Sequence, residues 1–357
     1  MDLTSKIYVA GHRGLVGSAI LRKLKELRYE KLSFRSSREV DLRRQSDTET
    51  LFRDEKPEYV FLAAAKVGGI LANMTYQAEF IYDNIAIATN VIQAAYSVGV
   101  RKLLNLGSSC IYPKFCTQPM KEDALLTGIL EPTNEPYAIA KIAAIKLCRY
   151  YNEQYDTNFI SIMPTNLYGP NDNFNLETAH VLPALIRKFH LGRLLRKKNL
   201  EGIQADIRRF SIGFGLDGSK GLEQETSVQD VLKRLGITKE AVVVWGSGNP
   251  HREFLYVDDL ADAALFILER YDAKDIGEFV NIGRGEDAKI KDLAFLVKDV
   301  IGFEGEIEFD HSRPDGTPRK LLDVSRMKSL GWEAKTPLEE GIRRTYEWYL
   351  DSMRPCG

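Results

Sequence analysis

The sequence has few cysteines, almost no net charge and no long hydrophobic run. Among its 357 residues, 49 Lys and Arg nearly balance 50 Asp and Glu. Balanced charge gives no electrostatic reason to expect a nucleic-acid or acidic-membrane partner. The longest apolar stretch, residues 59–72, is interrupted by Lys66 and falls short of the roughly 18 residues that a membrane-spanning helix needs. We therefore expect neither a nucleic-acid partner nor a membrane partner.

The cysteines are also too few and too scattered to define a site. Cys110, Cys116, Cys148 and Cys356 have neither the paired spacing of a zinc site nor the density of a disulfide framework. They are expected to be thiols, one of which could be reactive, and no metal site is predicted. The first residues lead into an apolar run without the basic and long hydrophobic regions of a secretory signal, so we expect a cytoplasmic protein.

The chain does contain a regular alternation of short β-branched runs and amphipathic stretches of helical length. Strands are predicted at residues 6–10, 31–34, 59–63, 102–106, 159–163, 241–245 and 279–282. Helices are predicted at residues 17–27, 46–56, 78–98, 137–155, 289–301 and 338–350, and from near 258. This alternation is typical of parallel βαβ units, so we predict an α/β fold with a doubly wound, mostly parallel Rossmann sheet.

The pattern loosens between about 190 and 240. This region mixes basic residues with a glycine-rich patch, residues 213–221, and is interpreted as an elaboration of the core. The patch favours a poorly ordered loop, with a flexible lid as the alternative.

A glycine-rich loop follows the first predicted strand and opens the first predicted helix. It consists of Gly11, His12, Arg13, Gly14, Leu15, Val16 and Gly17. Glycines in this position allow a tight turn, close approach of a pyrophosphate to the backbone, and packing of the helix on the strand. We predict a dinucleotide-binding loop, the alternative being a simple tight turn.

The end of the second predicted strand indicates which dinucleotide binds. NAD-binding chains place an Asp or Glu there, which accepts hydrogen bonds from the ribose hydroxyls. This chain has Arg35, Ser36, Ser37 and Arg38 instead, with Arg13 nearby in the glycine loop. Guanidinium groups and hydroxyls suit a phosphate dianion, so NADP(H) is the predicted cofactor. The alternative is that the arginines only coat the surface.

Tyr137 and Lys141 are candidate catalytic residues because a spacing of four places them on one face of a helix. Ser108 follows the fourth predicted strand, at the sheet edge where ligands of doubly wound folds bind. A phenol with a pKa of about 10 is a poor acid–base catalyst at neutral pH unless a cation such as Lys141 favours the phenolate. Ser108 can share a substrate carbonyl with Tyr137 and stabilise negative charge on its oxygen.

Together these motifs resemble the extended short-chain dehydrogenase/reductase family that acts on nucleotide sugars. The chain is similar in particular to the members that epimerise and reduce a GDP-4-keto-6-deoxy-mannose. The segments that carry this likeness are residues 63–69, 107–114, 131–141, 164–170, 245–248, 252–254 and 314–320. The likeness covers nearly the whole chain except about 190–240.

The resemblance implies NADPH-dependent epimerisation at carbons 3 and 5 followed by reduction at carbon 4, which gives GDP-L-fucose. Ser108 and Tyr137 would hold the enolate oxygen, and Tyr137 would protonate the alkoxide. Cys110 and His180, with ordinary pKa values of about 8.5 and 6.5, suit removal of a proton and its return on the opposite face. The alternatives are a buried core cysteine and a surface or satisfied histidine.

The same resemblance implies the binding residues and the assembly. Cofactor contacts are expected from Asp41, Leu106, Pro164, Asn166 and Leu167, with Lys141 and His180. Contacts with the GDP-sugar are expected from Lys188, Trp245, Arg252 and Asp315, because cations meet a pyrophosphate and an aromatic ring packs on a base or sugar. Members of the family form homodimers through a four-helix bundle, here residues 78–98 and 137–155.

These inferences divide the chain into an NADP-binding Rossmann domain, residues 1–170, and a mainly substrate-binding lobe, residues 171–357. Residues of about 253–283 are expected to return to the Rossmann domain.

Three other enzyme functions and one noncatalytic function are alternatives, and the sequence separates some of them better than others. A sugar-nucleotide dehydratase would carry Thr-Asp-Glu where this chain has Ser108-Ser109-Cys110, and a 4-epimerase would retain a tightly bound NAD. An epimerase/reductase of a related GDP-4-keto sugar, such as a 6-deoxy-heptose, is harder to separate by motif. A noncatalytic NADP-binding sensor would be expected to lack Tyr137 or Lys141.

Overall fold

The secondary structure is that of an alternating α/β chain. The computed structural model describes residues 1–217, 225–313 and 315–354. The strands are β1 (Lys6–Ala10), β2 (Lys31–Ser33), β3 (Tyr59–Leu62), β4 (Lys102–Leu106), β5 (Phe159–Pro164), β6 (Asn166–Tyr168), β7 (Ala241–Trp245), β8 (His251–Tyr256), β9 (Val280–Ile282), β10 (Asp287–Lys289), β11 (Glu306–Asp310) and β12 (Arg319–Lys320).

The helices of the described residues cover both faces of the strands. They are α1 (Leu15–Glu26), α2 (Gln45–Glu55), α3 (Ile70–Thr75), α4 (Gln77–Ser97), α5 (Glu135–Tyr155), α6 (Val181–Arg196), α7 (Leu200–Arg209), α8 (Glu225–Arg234), α9 (Val257–Arg270), α10 (Ala273–Ile276), α11 (Ile290–Ile301), α12 (Ser325–Ser329) and α13 (Leu338–Asp351). None of them is both long enough and apolar enough to cross a membrane.

A six-stranded parallel sheet forms the larger core, in the order β2-β1-β3-β4-β5-β9. Its central strands are buried on both faces, as in β3, where all four residues are buried. One face packs on α1 and α9 and the other on α4 and α5. The strand order reverses between β1 and β3, which is where ligands bind in open α/β sheets. This arrangement confirms the predicted fold class.

A smaller lobe is built on short strands and on α6, α11 and α13, which share a second hydrophobic core. In its sheet β8 pairs with β10, β12 and β6, while β7 pairs with β11 in a separate ribbon. The chain then re-enters the large sheet, because α9 packs on α1 and β9 pairs with β5. The lobe adjoins the carboxyl ends of β4 and β5, because β6 follows β5 and pairs with β8, and because the charge of Lys320 in β12 acts on Cys110, just after β4. The region between the lobe and these strand ends is called the cleft.

The region interpreted as an elaboration of the core is largely helical. The end of α6 lies in it, followed by α7 and α8. Helix α7 buries Ile203 and Asp206, and Ile207 together with Phe210, which follows the helix, packs against the core of the lobe. Residues 213–217 of the glycine-rich patch are irregular, and its remainder, residues 218–221, lies outside the described residues.

Candidate active site and cofactor cleft

The glycine loop is shaped by two close backbone approaches. Gly11 has φ of 82°, and a Cβ there would lie 2.7 Å from the backbone nitrogen of Ala64. A Cβ on Gly17 would lie 2.2 Å from the carbonyl oxygen of Gly11. Gly14 has more room and begins α1 without a side-chain cap, so the first N–H groups of this 12-residue helix are open. The loop therefore fits a dinucleotide diphosphate.

The loop and the end of β2 also present groups suited to a 2′-phosphate. The His12 ring lies 4.8 Å from the Phe34 ring, and its buried Nδ1 atom has no hydrogen-bond partner. Arg13 and Arg38 are exposed and form no ion pair with any residue of the described part of the chain. Two free guanidinium groups and an unpaired imidazole nitrogen fit the anionic end of NADP(H).

Three other residues of the predicted cofactor set already have partners. The Arg35 guanidinium forms an ion pair with Glu55 and donates to the Phe34 carbonyl at 2.9 Å. Asp41 is paired with Arg43 at 2.8 Å. Ser36 donates both its backbone N–H and its hydroxyl to the carboxylate of Glu39, a residue that no sequence motif indicated.

The predicted catalytic residues converge where β4 ends against α5. Ser108 caps the short 3-10 turn at residues 109–111, and its Oγ accepts a hydrogen bond from the Cys110 backbone N–H at 3.5 Å. Lys141 is buried and donates to the Leu106 carbonyl at 2.7 Å, which fixes its ammonium beneath the end of β4. The same ammonium lies 5.7 Å from the centre of the Tyr137 ring. Serine, phenol and ammonium therefore share one corner of the cleft.

Burial dominates the titration of this corner. Burial raises the pKa of the Tyr137 phenol, as does the charge of Cys110, while a hydrogen bond with Ser108 opposes both. Burial lowers the pKa of Lys141 to about 8. Lys141 was expected to favour the phenolate, but the pKa of Tyr137 is raised, chiefly by burial. Tyr137 is therefore protonated at neutral pH, which is the form that can donate a proton.

Cys110 and His180 face the same cleft from different elements. Cys110 is buried behind Ser108, and burial raises its pKa, although Ser108, Lys320 and Lys141 oppose this. His180 stands at the N-cap position of α6, where its side chain makes no capping hydrogen bond and is exposed. The surrounding cleft walls and the charge of Lys320 lower its pKa.

Lys320, at the end of β12, was not assigned a role from the sequence. Its side chain is half-buried, and its charge acts on both Cys110 and His180. Surrounding protein lowers its own pKa. The only indication of a role for Lys320 in the sequence was its place in the segment 314–320, which carries part of the family resemblance.

The residues predicted to contact the GDP-sugar lie on adjoining elements of the lobe. Lys188 donates to the Val243 carbonyl at 2.9 Å, and burial lowers its pKa to about 8. Trp245 ends the same strand with 47% of its surface exposed, and the Arg313 guanidinium lies 4.7 Å from its ring centre. No motif pointed to Arg313, which adds a cation to this side of the cleft.

Arg252 and Asp315 complete this set. The charge of Asp315 acts on Arg252, but its carboxylate is already bound by the Ser247 backbone N–H at 2.6 Å and by the Ser247 hydroxyl at 2.7 Å. Asp315 therefore holds the turn after β7 as well as facing the cleft.

The last predicted cofactor residues lie where β5 passes into the lobe. Pro164 ends β5, and Asn166 and Leu167 are the first two residues of β6. The Asn166 amide donates to the Glu253 carbonyl at 2.8 Å, which ties β6 to β8. These residues lie at the same sheet edge as Leu106, so the predicted set is gathered along one cleft.

Comparison with known proteins identifies the class. The model of the NAD dependent epimerase/dehydratase family matches residues 7–206 and 202–283. These matches cover well over half of the chain, so the chain belongs to the NAD dependent epimerase/dehydratase family.

Its relatives narrow the class further. GDP-L-fucose synthase 1 of Arabidopsis thaliana is 53% identical over 99% of this chain and 95% of its own length. GDP-L-fucose synthase of Escherichia coli is 45% identical over 98% of this chain and 97% of its own. The GDP-D-glycero-L-gluco-heptose synthase of Campylobacter jejuni, solved in the presence of NADPH, is 39% identical, with a TM-score of 0.89 over 98% of this chain and 99% of that one. The predicted resemblance is confirmed.

Proposed function

We propose that this protein is an NADP-dependent oxidoreductase with epimerase activity that converts GDP-4-keto-6-deoxy-D-mannose to GDP-L-fucose. The observation that carries the proposal is the convergence of Ser108, Tyr137 and Lys141 with Cys110 and His180 on one cleft beside the glycine loop. High identity to GDP-L-fucose synthases over nearly the full chain supports the substrate.

Epimerisation begins with the C4 carbonyl of the substrate. Hydroxyl donors from Ser108 and Tyr137 stabilise negative charge on that oxygen, which makes the protons at carbons 3 and 5 more acidic. Because the pKa of Cys110 is raised and that of His180 is lowered, the resting pair is a neutral thiol and a neutral imidazole, so Cys110 must first lose its proton and His180 must gain one. The Cys110 thiolate then removes a proton from carbon, and the His180 imidazolium returns one to the opposite face. Each such step leaves a neutral thiol and a neutral imidazole, so the pair must exchange its proton with solvent or with itself before the next step.

Reduction uses the same oxygen and the same donors. NADPH supplies the hydride that carbon 4 accepts. Tyr137 gives its phenolic proton to the C4 oxygen, and Ser108 holds that oxygen during the transfer. The Lys141 ammonium, fixed by the Leu106 carbonyl, stabilises the tyrosinate that remains. Lys188, Arg252 and Trp245 hold the GDP part of the substrate in the lobe.

Cys110→Ser is expected to slow the exchange of the carbon 3 and carbon 5 protons with solvent by 10²-fold or more, because a hydroxyl is far less acidic than a thiol at neutral pH. Reduction of the ketone should fall much less. Deuterium wash-in measured by NMR without NADPH, and NADPH oxidation measured by absorbance, separate the two steps. Cys116→Ser, which changes a half-buried thiol of the same loop, is the matched control. Unchanged wash-in in Cys110→Ser would contradict the role of Cys110.

A second candidate substrate is a related GDP-4-keto sugar such as a 6-deoxy-heptose. The likeness to the heptose synthase of Campylobacter jejuni supports it. Comparing kcat/KM for the two ketones with the same enzyme preparation decides between them.

We also propose a homodimer formed through α4 and α5. These two helices pack tightly on each other and carry exposed apolar side chains, among them Tyr82, Ile139 and Tyr150, with 67%, 40% and 53% of their surfaces exposed. Small-angle scattering at micromolar concentration should give the mass of a dimer, and the mass of one chain would overturn this.

We also propose that the chain divides at residue 170 into a cofactor domain and a substrate lobe, with residues 253–283 returning to the former, because β9 pairs with β5 of the large sheet. A location in the cytoplasm is proposed as well.

A further inference from the structure

We propose that Glu39 sets the preference between NADPH and NADH, because its carboxylate occupies the position that the 2′-phosphate of NADPH needs. The proposal rests on the proposed cofactor. It adds a residue that the motifs of the sequence do not single out.

The Glu39 carboxylate accepts two hydrogen bonds from one residue, Ser36. One carboxylate oxygen, Oε2, accepts the Ser36 backbone N–H at 2.7 Å and the Ser36 hydroxyl at 2.6 Å. Hydrogen bonds of this kind, with one charged partner, are among the stronger ones in proteins. They lower the pKa of Glu39, together with the charges of Arg35 and Arg13. Glu39 is therefore negatively charged at neutral pH.

The surroundings of Glu39 are those predicted for the phosphate. Its charge acts on His12, whose Nδ1 is buried without a hydrogen-bond partner. The exposed Arg13 guanidinium has no ion-pair partner among the described residues, while Arg35 is paired with Glu55. Glu39 thus lies among the groups available to a 2′-phosphate.

A phosphate dianion and the Glu39 carboxylate cannot both accept from Ser36. Like charges at hydrogen-bond distance repel, so Glu39 must leave Ser36 before the phosphate binds. Its side chain is exposed, so no packing prevents it from turning into solvent. NADH carries a hydroxyl at this position and requires no such displacement, and a carboxylate can accept a hydrogen bond from that hydroxyl. Glu39 therefore weakens NADPH binding relative to NADH binding.

A purely local role predicts a different result. Ser36 and Glu39 have the spacing of a capping pair, and the Glu39 and Val40 backbone N–H groups donate to the Ser36 carbonyl. If Glu39 only stabilised this turn, its loss would disturb the loop and weaken both cofactors by the same factor.

The test is direct binding of the two cofactors to the full chain without GDP-sugar, measured by nicotinamide fluorescence or calorimetry. For Glu39→Gln, we expect the Kd for NADPH to fall at least fivefold at low salt and the Kd for NADH to stay the same or rise. Glu39→Ala should shift the ratio of the two constants in the same direction. Glu49→Gln, which removes a charge from the exposed face of α2, should change neither constant, and thermal unfolding checks that each variant is folded.

Equal changes in both constants, or an unchanged ratio in both Glu39 variants, would overturn the proposal. If the wild-type chain binds NADPH but the ratio of the Kd values for NADPH and NADH is unchanged in the variants, only the role of Glu39 is rejected. A wild-type chain that binds neither cofactor rejects the proposed function and this inference with it.

Discussion

Tyr137→Phe is expected to lower kcat for ketone reduction by about 10²- to 10⁴-fold, because the hydroxyl that protonates the C4 oxygen is lost. Burial keeps this phenol protonated, so its proton is available throughout the neutral range. The ring itself packs against Phe80 and lies beside the Lys141 ammonium, and phenylalanine preserves both contacts. The Kd for NADPH should therefore stay close to that of the wild type, while single-turnover NADPH oxidation slows.

The matched control is Tyr112→Phe, which removes another buried phenol of the same region. The Tyr112 hydroxyl donates to the Asn281 side chain at 2.6 Å. Its loss should cost about 1 kcal/mol of stability or more, since Asn281 loses a partner, and should leave turnover largely intact. A Tyr137→Phe enzyme with near wild-type single-turnover reduction would exclude Tyr137 as the proton donor.

The second large effect concerns stability and follows from a charge buried in the lobe. Arg187 is fully buried on α6, and its Nε and Nη2 donate to Asp206 Oδ1 at 3.0 and 2.8 Å. It also donates to the Phe174 and Ser211 carbonyls, at 2.9 and 2.6 Å. Tyr349, on the last helix, donates to the other oxygen of Asp206. The Arg187–Asp206 pair therefore joins α6 and α7 with α13 and with the loop that leads to His180.

Arg187→Met is expected to lower the free energy of unfolding by about 3–5 kcal/mol, because it leaves the Asp206 carboxylate buried without its counter-charge. Urea or guanidinium denaturation followed by fluorescence measures the change. The double variant Arg187→Met with Asp206→Leu should recover part of the loss, since no lone charge remains buried. A loss below about 1 kcal/mol in the single variant, which is the usual value for an exposed pair, would show that the pair is not buried as described.

The Rossmann half of the fold is well predicted because its local signals agree with its packing. Its central strands are buried on both faces and read as continuous apolar runs, as β3 does. Helix α1 buries Gly17, Ile20, Leu21 and Leu24, which recur at the spacing of one helical face. The six-stranded order of the sheet, however, came from the structure and not from these patterns.

The lobe is less predictable because polar residues are buried within it. Strand β8 was not predicted, since it carries Glu253 among apolar residues. That carboxylate is fully buried and accepts the Gly285 and Leu322 backbone N–H groups at 2.7 and 3.0 Å. In α7, buried Asp206 interrupts the apolar pattern in the same way. A buried carboxylate looks like a surface residue until its distant partners are known.

In the candidate site too, the sequence predicted the residues with local signals and missed the contacts between distant residues. The sequence indicated Tyr137 and Lys141 by their spacing of four residues, and Ser108 by its place after the fourth predicted strand. The sequence did not reveal the ion pair of Arg35 with Glu55, twenty residues away, or the approach of Lys320 to Cys110 across the cleft. It also did not indicate that burial raises the pKa of Tyr137.

The most direct test of the proposed function is NADPH oxidation with freshly prepared GDP-4-keto-6-deoxy-D-mannose in deuterated water, followed by NMR of the product sugar. The proposal predicts GDP-L-fucose that carries deuterium at carbons 3 and 5. NADPH consumption without deuterium at these carbons would show a simple ketoreductase and remove the roles of Cys110 and His180. No turnover of this ketone would contradict the proposed substrate.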